Sequence, residues 1–150
     1  MTLRIGREDG LYTICDKNKA LILKENEELL SESYGEVNFY YFRGFSEPCE
    51  DHLYLTNKRL VFVGNVRIPI DNNYITTLFI SSAEVYYRTR KKLIRFAEIY
   101  HSEPFQVRKT KEGYYLYFKR KLYIIRVKPK NKGFKGVLEN MYKNITVYGL

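Results

Sequence analysis

The stretch Leu53-Tyr54-Leu55-Thr56-Asn57-Lys58-Arg59-Leu60-Val61-Phe62-Val63-Gly64 constrains this chain most. Leu53 and Leu55 alternate with Tyr54, and Leu60 and Phe62 alternate with Val61 and Val63. A period of two on either side of a polar break predicts two short strands joined by a turn at Thr56-Asn57-Lys58. Asn tolerates the left-handed backbone that a tight hairpin uses, so Asn57 is expected to supply it.

The surrounding composition agrees with a β fold. Tyr occurs 15 times and Phe 9 times, while Ala stands only at Ala20, Ala83 and Ala97. Aromatic and β-branched residues with so little Ala favour strands over helices. With 45% hydrophobic and 29% charged residues, the 150-residue chain is expected to form one globular domain over residues 1–150. No apolar run approaches the roughly 18 to 20 residues that span a bilayer. Residues 1–9 hold no apolar stretch of signal-peptide length, so a cytoplasmic protein is expected.

Further strands are predicted over residues 36–43, 66–70, 74–80, 83–88, 93–100, 105–109, 113–119 and 122–128. Residues 11–15, in an N-terminal arm over 1–19, read as a short strand or an extended segment, and 20–30 fits a helical turn or a charged bend equally well. Phe45 to Asp51, with Pro48 and the acids Glu47, Glu50 and Asp51, reads as a loop. Near the end the period changes. Phe134, Val137, Leu138, Met141, Tyr142 and Ile145 share one helical face, with Pro129 and Gly133 just before the helix. Many short strands followed by one helix predict a mainly β barrel or sandwich with a C-terminal helix.

The hairpin also resembles the pleckstrin-homology-like domains, GRAM domains and their prokaryotic relatives in particular. Leu53, Leu55, Thr56, Asn57, Arg59, Leu60 and Phe62 sit in register with that family's L-x-L-T-N-x-R-L-x-F hairpin. Glu27-Glu28-Leu29-Leu30 resembles the Glu-containing bend before the first strand, and Ile68-Pro69-Ile70 the apolar step after the hairpin. The resemblance implies a split β-barrel of two packed antiparallel sheets, capped by the C-terminal helix, with a core over about 27–145. It departs from the family's lipid-binding members in one loop. They carry basic residues there, whereas Gly44 to Asp51 carries three acids and no base.

Charge points to the partner. Residues 1–82 hold 9 Lys/Arg and 12 Asp/Glu, and residues 83–150 hold 17 and 5, so a net −3 half precedes a +12 half. Arg88, Arg90, Lys91 and Lys92, then Arg108, Lys109 and Lys111, then Lys119, Arg120 and Lys121 lie between predicted strands. Gathered on one rim, these turns would attract phosphate. Alone, each fits an edge whose cations discourage aggregation. The expectation is a non-catalytic module docking on an anionic surface, with membrane lipid headgroups first among partners and attachment at the inner membrane face. The alternatives are a protein-interaction adaptor taking a peptide at a sheet edge or barrel–helix groove, and non-specific nucleic-acid binding.

Catalytic apparatus is not legible: two His residues stand without a nucleophile elbow or a phosphate-cradling loop. Cys49-x-x-His52, with Cys15 and His101 elsewhere, lacks the second close pair of a structural zinc site, so no metal or cofactor is expected. Cys15 and Cys49 are expected as reduced core residues. Residues 111–118 are read as a tyrosine-rich hairpin packing on its neighbours, since an RNA-binding aromatic strand wants a base directly before Gly113.

Overall fold

The computed structural model of the chain describes residues 2–41, 46–67, 93–111 and 113–142. Eight strands form one antiparallel, curled sheet: β1 (Leu3–Arg7), β2 (Leu29–Tyr41), β3 (Ser46–Thr56), β4 (Arg59–Val66), β5 (Ile94–Tyr100), β6 (Gln106–Thr110), β7 (Gly113–Lys119) and β8 (Tyr123–Pro129). Their order is β1-β5-β4-β3-β2-β8-β7-β6. The strands among the described residues thus belong to one continuous sheet and not to two. The expected strands over 74–80 and 83–88, most of that over 66–70, and the Ile68-Pro69-Ile70 step lie outside the described residues.

The predicted hairpin is β3–β4, with Leu55 opposite Leu60 and Asn57-Lys58 as the turn. Its wording has a different cause from the one expected. The described non-glycine residues with positive φ are Lys19 at 64° and Asn26 at 60°, so Asn57 is not left-handed. The Asn57 side chain clamps the neighbouring bend, accepting from the Glu28 amide at 2.7 Å and donating to the Asn26 carbonyl at 3.1 Å. Thr56 Oγ1 closes the turn by accepting from the amides of Lys58 and Arg59, each at 3.0 Å. The charged bend, not the helical turn, is what residues 24–27 form.

Arg59 is the centre of this corner. Its side chain is 1% exposed, and Glu27, 0% exposed, faces it with both oxygens, taking Nε–H at 2.7 Å and Nη2–H at 2.9 Å. Nη1 donates to Glu98 and Nη2 also to the Ile22 carbonyl at 2.9 Å. Thr56 Oγ1–H adds a bond to Glu27 at 2.7 Å. Burial by itself pushes the Glu27 carboxyl up. Its bonds to Arg59, the Lys24 amide and Thr56 outweigh that and bring it to about 2.

That corner pins the N-terminal segment across the outer side of the sheet. The arm is more ordered than expected: β1 pairs with β5, and Glu8–Thr13 is a 3-10 turn, not a strand. Leu11, Ile14 and Cys15 pack on Tyr54, Val61, Val63 and Phe96 in a second small core. Gly6 is required by close approach, because a Cβ there would stand 2.3 Å from the Phe96 ring.

The main core fills the inner side of the curl. Val37, Phe39, Leu53, Leu55, Leu60, Phe62, Leu116, Phe118, Ile125 and Val127 meet there with Phe134 and Leu138 of α1 (Lys132–Met141). Asn131 caps α1, its Oδ1 accepting from the amides of Gly133 at 2.8 Å and Phe134 at 3.2 Å. Val137 and Met141 complete the expected face, while Ile145 lies outside the described residues. Cys15 and Cys49 are free and buried, one in each core. His101 locks the helix end to the hairpin: Nε2–H donates to the Thr56 carbonyl at 2.8 Å and Nδ1 accepts from Tyr142. Burial lowers the His101 pKa.

The expected loop over residues 45–51 is instead the start of β3, from Ser46 onward. Pro48 fits because the β3–β4 ladder ends at Cys49 opposite Val66, so its missing N–H faces the ladder's end. The acids are paired: Glu47 with Arg95 at 2.9 Å and with Tyr41 at 2.8 Å, and Glu50 with Tyr34 and Arg67.

Arg59→Met leaves the Glu27 carboxylate buried beside no strong counter-charge and is expected to cost about 3–5 kcal/mol in urea denaturation. A loss near zero would contradict the central role of the pair. The glutamate also sets an acid limit. Against its ordinary 4.5, a folded value of about 2 gives stability complete above pH 4.5 and lost as the pH falls toward 2. Glu27→Gln is expected to make that fall shallower, and an unchanged slope would refute it. For His101 the stability is complete above 6.5 and lost as pH drops below it. His101→Gln should remove that loss from the pH profile of the thermal midpoint.

Candidate anion-binding face

Alternation in β8 sends Ile125 and Val127 into the core and Arg126 and Lys128 to the outer side of the sheet. β2 does the same, burying Val37 and Phe39 and turning Tyr34, Glu36, Asn38 and Tyr40 outward. In β7, Tyr114, Leu116 and Phe118 point in, and Tyr115 and Tyr117 point out. Residues 113–118 therefore pack on their neighbours with one face only. The N-terminal segment that covers the outer side of β3, β4 and β5 does not reach these strands.

Register brings the outward residues together. Arg126 sits between Asn38 of β2 and Tyr117 of β7. Its guanidinium lies 4.6 Å from the Tyr115 ring centre and 5.4 Å from that of Tyr40. Lys128 Nζ is 5.3 Å from Tyr115, Arg108 is 4.7 Å from Tyr117, and Lys130 Nζ is 5.9 Å from Tyr34. Cations over ring faces are held by the ring quadrupole and keep their charge directed outward. Among the described residues no carboxylate pairs with Arg108 or Arg126.

The β2–β3 border of the face is different, because acids are interleaved there. Glu36 takes Lys130 at 2.7 Å, a bond that holds its carboxyl below the usual range, and lies 3.9 Å from Arg67. Glu50 accepts from the Tyr34 hydroxyl, whose pKa rises to about 12, and lies 3.5 Å from Arg67. Two recesses flank Arg67. One of about 100 Å³ is lined by Asn38, Tyr115, Arg126, Lys128, Glu36 and Arg67. The other, of about 260 Å³, is lined by Tyr34, Glu50, Asp51, Asn65 and Arg67. Asn38 Oδ1 and Asn65 Oδ1 are buried without a hydrogen-bond partner.

The basic turns fare less well. Arg88, Arg90, Lys91 and Lys92 lie outside the described residues. Lys111 precedes β7, whereas Lys119, Arg120 and Lys121 follow at its other end, about 20 Å away for a seven-residue strand. These two turns do not gather on one rim. Arg120 is committed to Glu103, 5% exposed, at 2.8 Å, and that carboxylate also takes the Thr2 hydroxyl. Arg108 and Lys109 are strand residues on alternate sides of β6, and among the described turn cations Arg108 alone joins the tyrosine face. Sequence reasoning missed Tyr34, Asn38, Tyr40, Arg126, Lys128 and Lys130. The signal was present as Tyr-x-Tyr at 115 and 117 and Arg-x-Lys at 126 and 128, a polar period of two interleaved with apolar residues.

Cys49 and His52 point to opposite sides of β3, Cys49 into the core and His52 outward, so they do not form a ligand pair. Among the described residues no helix is long and apolar enough to cross a membrane. No protein-family model matches the chain, and no curated protein matches it either.

Proposed function

We propose that this chain is a pleckstrin-homology-like module, nearest to GRAM domains, that binds an anionic, phosphate-bearing partner and does so without catalysis. Support for the fold reading comes from the Thr56-Asn57-x-Arg59 corner and from a C-terminal helix seated in the curl of the sheet. The binding reading moves from the turns to the outer face of β2, β8, β7 and β6. One observation carries it: Arg126 stands between two tyrosine rings with no carboxylate partner among the described residues, beside Lys128 and a recess that admits a small oxyanion. Such cations are already desolvated in part and ordered by the rings, so they give up little on meeting a phosphate. An anionic membrane surface satisfies this reading, and the face itself asks only for phosphates.

The adaptor alternative keeps one supporting observation, since β6 ends the sheet and is largely exposed. Arg108 and Lys109 on it also fit the charged edge that discourages strand addition.

Retention on immobilised heparin is the direct test. Arg126→Glu with Lys128→Glu is expected to elute at distinctly lower salt than the parent. Lys119→Glu with Lys121→Glu reverses as many charges on the β7–β8 turn and should shift elution much less. Equal shifts for the two pairs would mean that net charge, not the face, drives binding.

A further inference from the structure

The two recesses beside Arg67 differ in chemistry, and the difference identifies a ligand. The smaller is net cationic, with Arg126, Lys128 and Arg67 against the single acid Glu36. The larger is aromatic and rich in acceptors, bounded by Tyr34, Glu50, Asp51 and Asn65, with Arg67 shared between the two. Tyr34 is 48% exposed, the most open of the tyrosines on this face. Phosphate is welcome in the first recess and repelled by the acids of the second. A flat ring carrying hydrogen-bond donors suits the second, where it can lie on Tyr34 and donate to a carboxylate oxygen.

Resting on the reading of an anionic-partner face, we infer that this face takes single-stranded nucleic acid. One phosphate sits against Arg126 and Lys128, and the adjoining base lies on Tyr34 with an amino group toward the carboxylates of Glu50 and Asp51. Further along the strand, Arg108 over Tyr117 continues the row of cations across β7 and β6. A duplex fits poorly, since its bases are stacked and paired and cannot enter the second recess. A lipid surface fits less well too. Membrane docking gains from projecting apolar side chains, and among the described residues the exposed aliphatics Ile22, Leu23, Leu29, Leu30 and Leu122 line neither recess.

The test is fluorescence anisotropy at low salt with labelled oligonucleotides of about twelve residues. The probes are oligo-dC, oligo-dT and a duplex, with vesicles of neutral lipid and of neutral plus anionic lipid measured in parallel. Binding of oligo-dC ahead of oligo-dT and of the duplex is expected. Tyr34→Ala should weaken oligo-dC binding by about five-fold or more, and should shift heparin elution far less than Arg126→Glu with Lys128→Glu does. Equal binding of single strand and duplex, with Tyr34→Ala silent, overturns the inference and leaves the anionic face standing. Binding to anionic vesicles with none to oligonucleotides does the same. If no probe binds and Arg126→Glu with Lys128→Glu leaves heparin retention unchanged, the face reading falls as well.

Discussion

Everything in this structure hangs on the guanidinium of Arg59 being buried and satisfied. An unpaired charge at 1% exposure would cost several kcal/mol. The bidentate bond to Glu27, the pair with Glu98 and the Ile22 carbonyl offset that cost only in one geometry. That geometry requires the bend at residues 24–27, the Thr56 turn and β5 to be in place together. Such a site contributes less to net stability than apolar packing of the same volume would. What it adds here is location, because it fixes where the N-terminal segment crosses the sheet.

The consequence is an outer side divided in two. Over β3, β4 and β5 the strap buries Val61, Val63 and Phe96. Over β2, β8, β7 and β6 nothing of the described chain covers the strands, and the residue types change accordingly to Tyr, Arg, Lys and Asn. A sheet with one solvated face is ordinary in an antiparallel fold, and polar residues alone would satisfy it. Cations stacked on rings, with a recess beside them, go beyond that requirement.

Much of the fold was legible in the sequence. The hairpin at 53–64, the strand over 113–119 and the helix beginning near Phe134 follow directly from periods of two and of 3.6 residues. What escaped did so for identifiable reasons. Pro48 and three acids read as a loop because a pairing partner such as Arg95 lies 48 residues away in sequence. The Asn57 side chain looked like a turn former, and only the fold shows it holding Asn26 and Glu28. The site was sought in turns, where charges stand out as runs, although a bare sheet face displays them singly on every second residue. Arg126 and Lys128 were thus hidden among Ile125 and Val127.

The measurement that reaches the central claim most directly is an NMR titration of the isotope-labelled chain with oligo-dC, followed through backbone amides and tyrosine rings. The account predicts that the shifts cluster on Tyr34, Asn38, Tyr115, Arg126 and Lys128, leaving the strap residues Leu11 and Ile14 unmoved. Shifts confined to the β7–β8 turn at Lys119 to Lys121, with the sheet face silent, would contradict it.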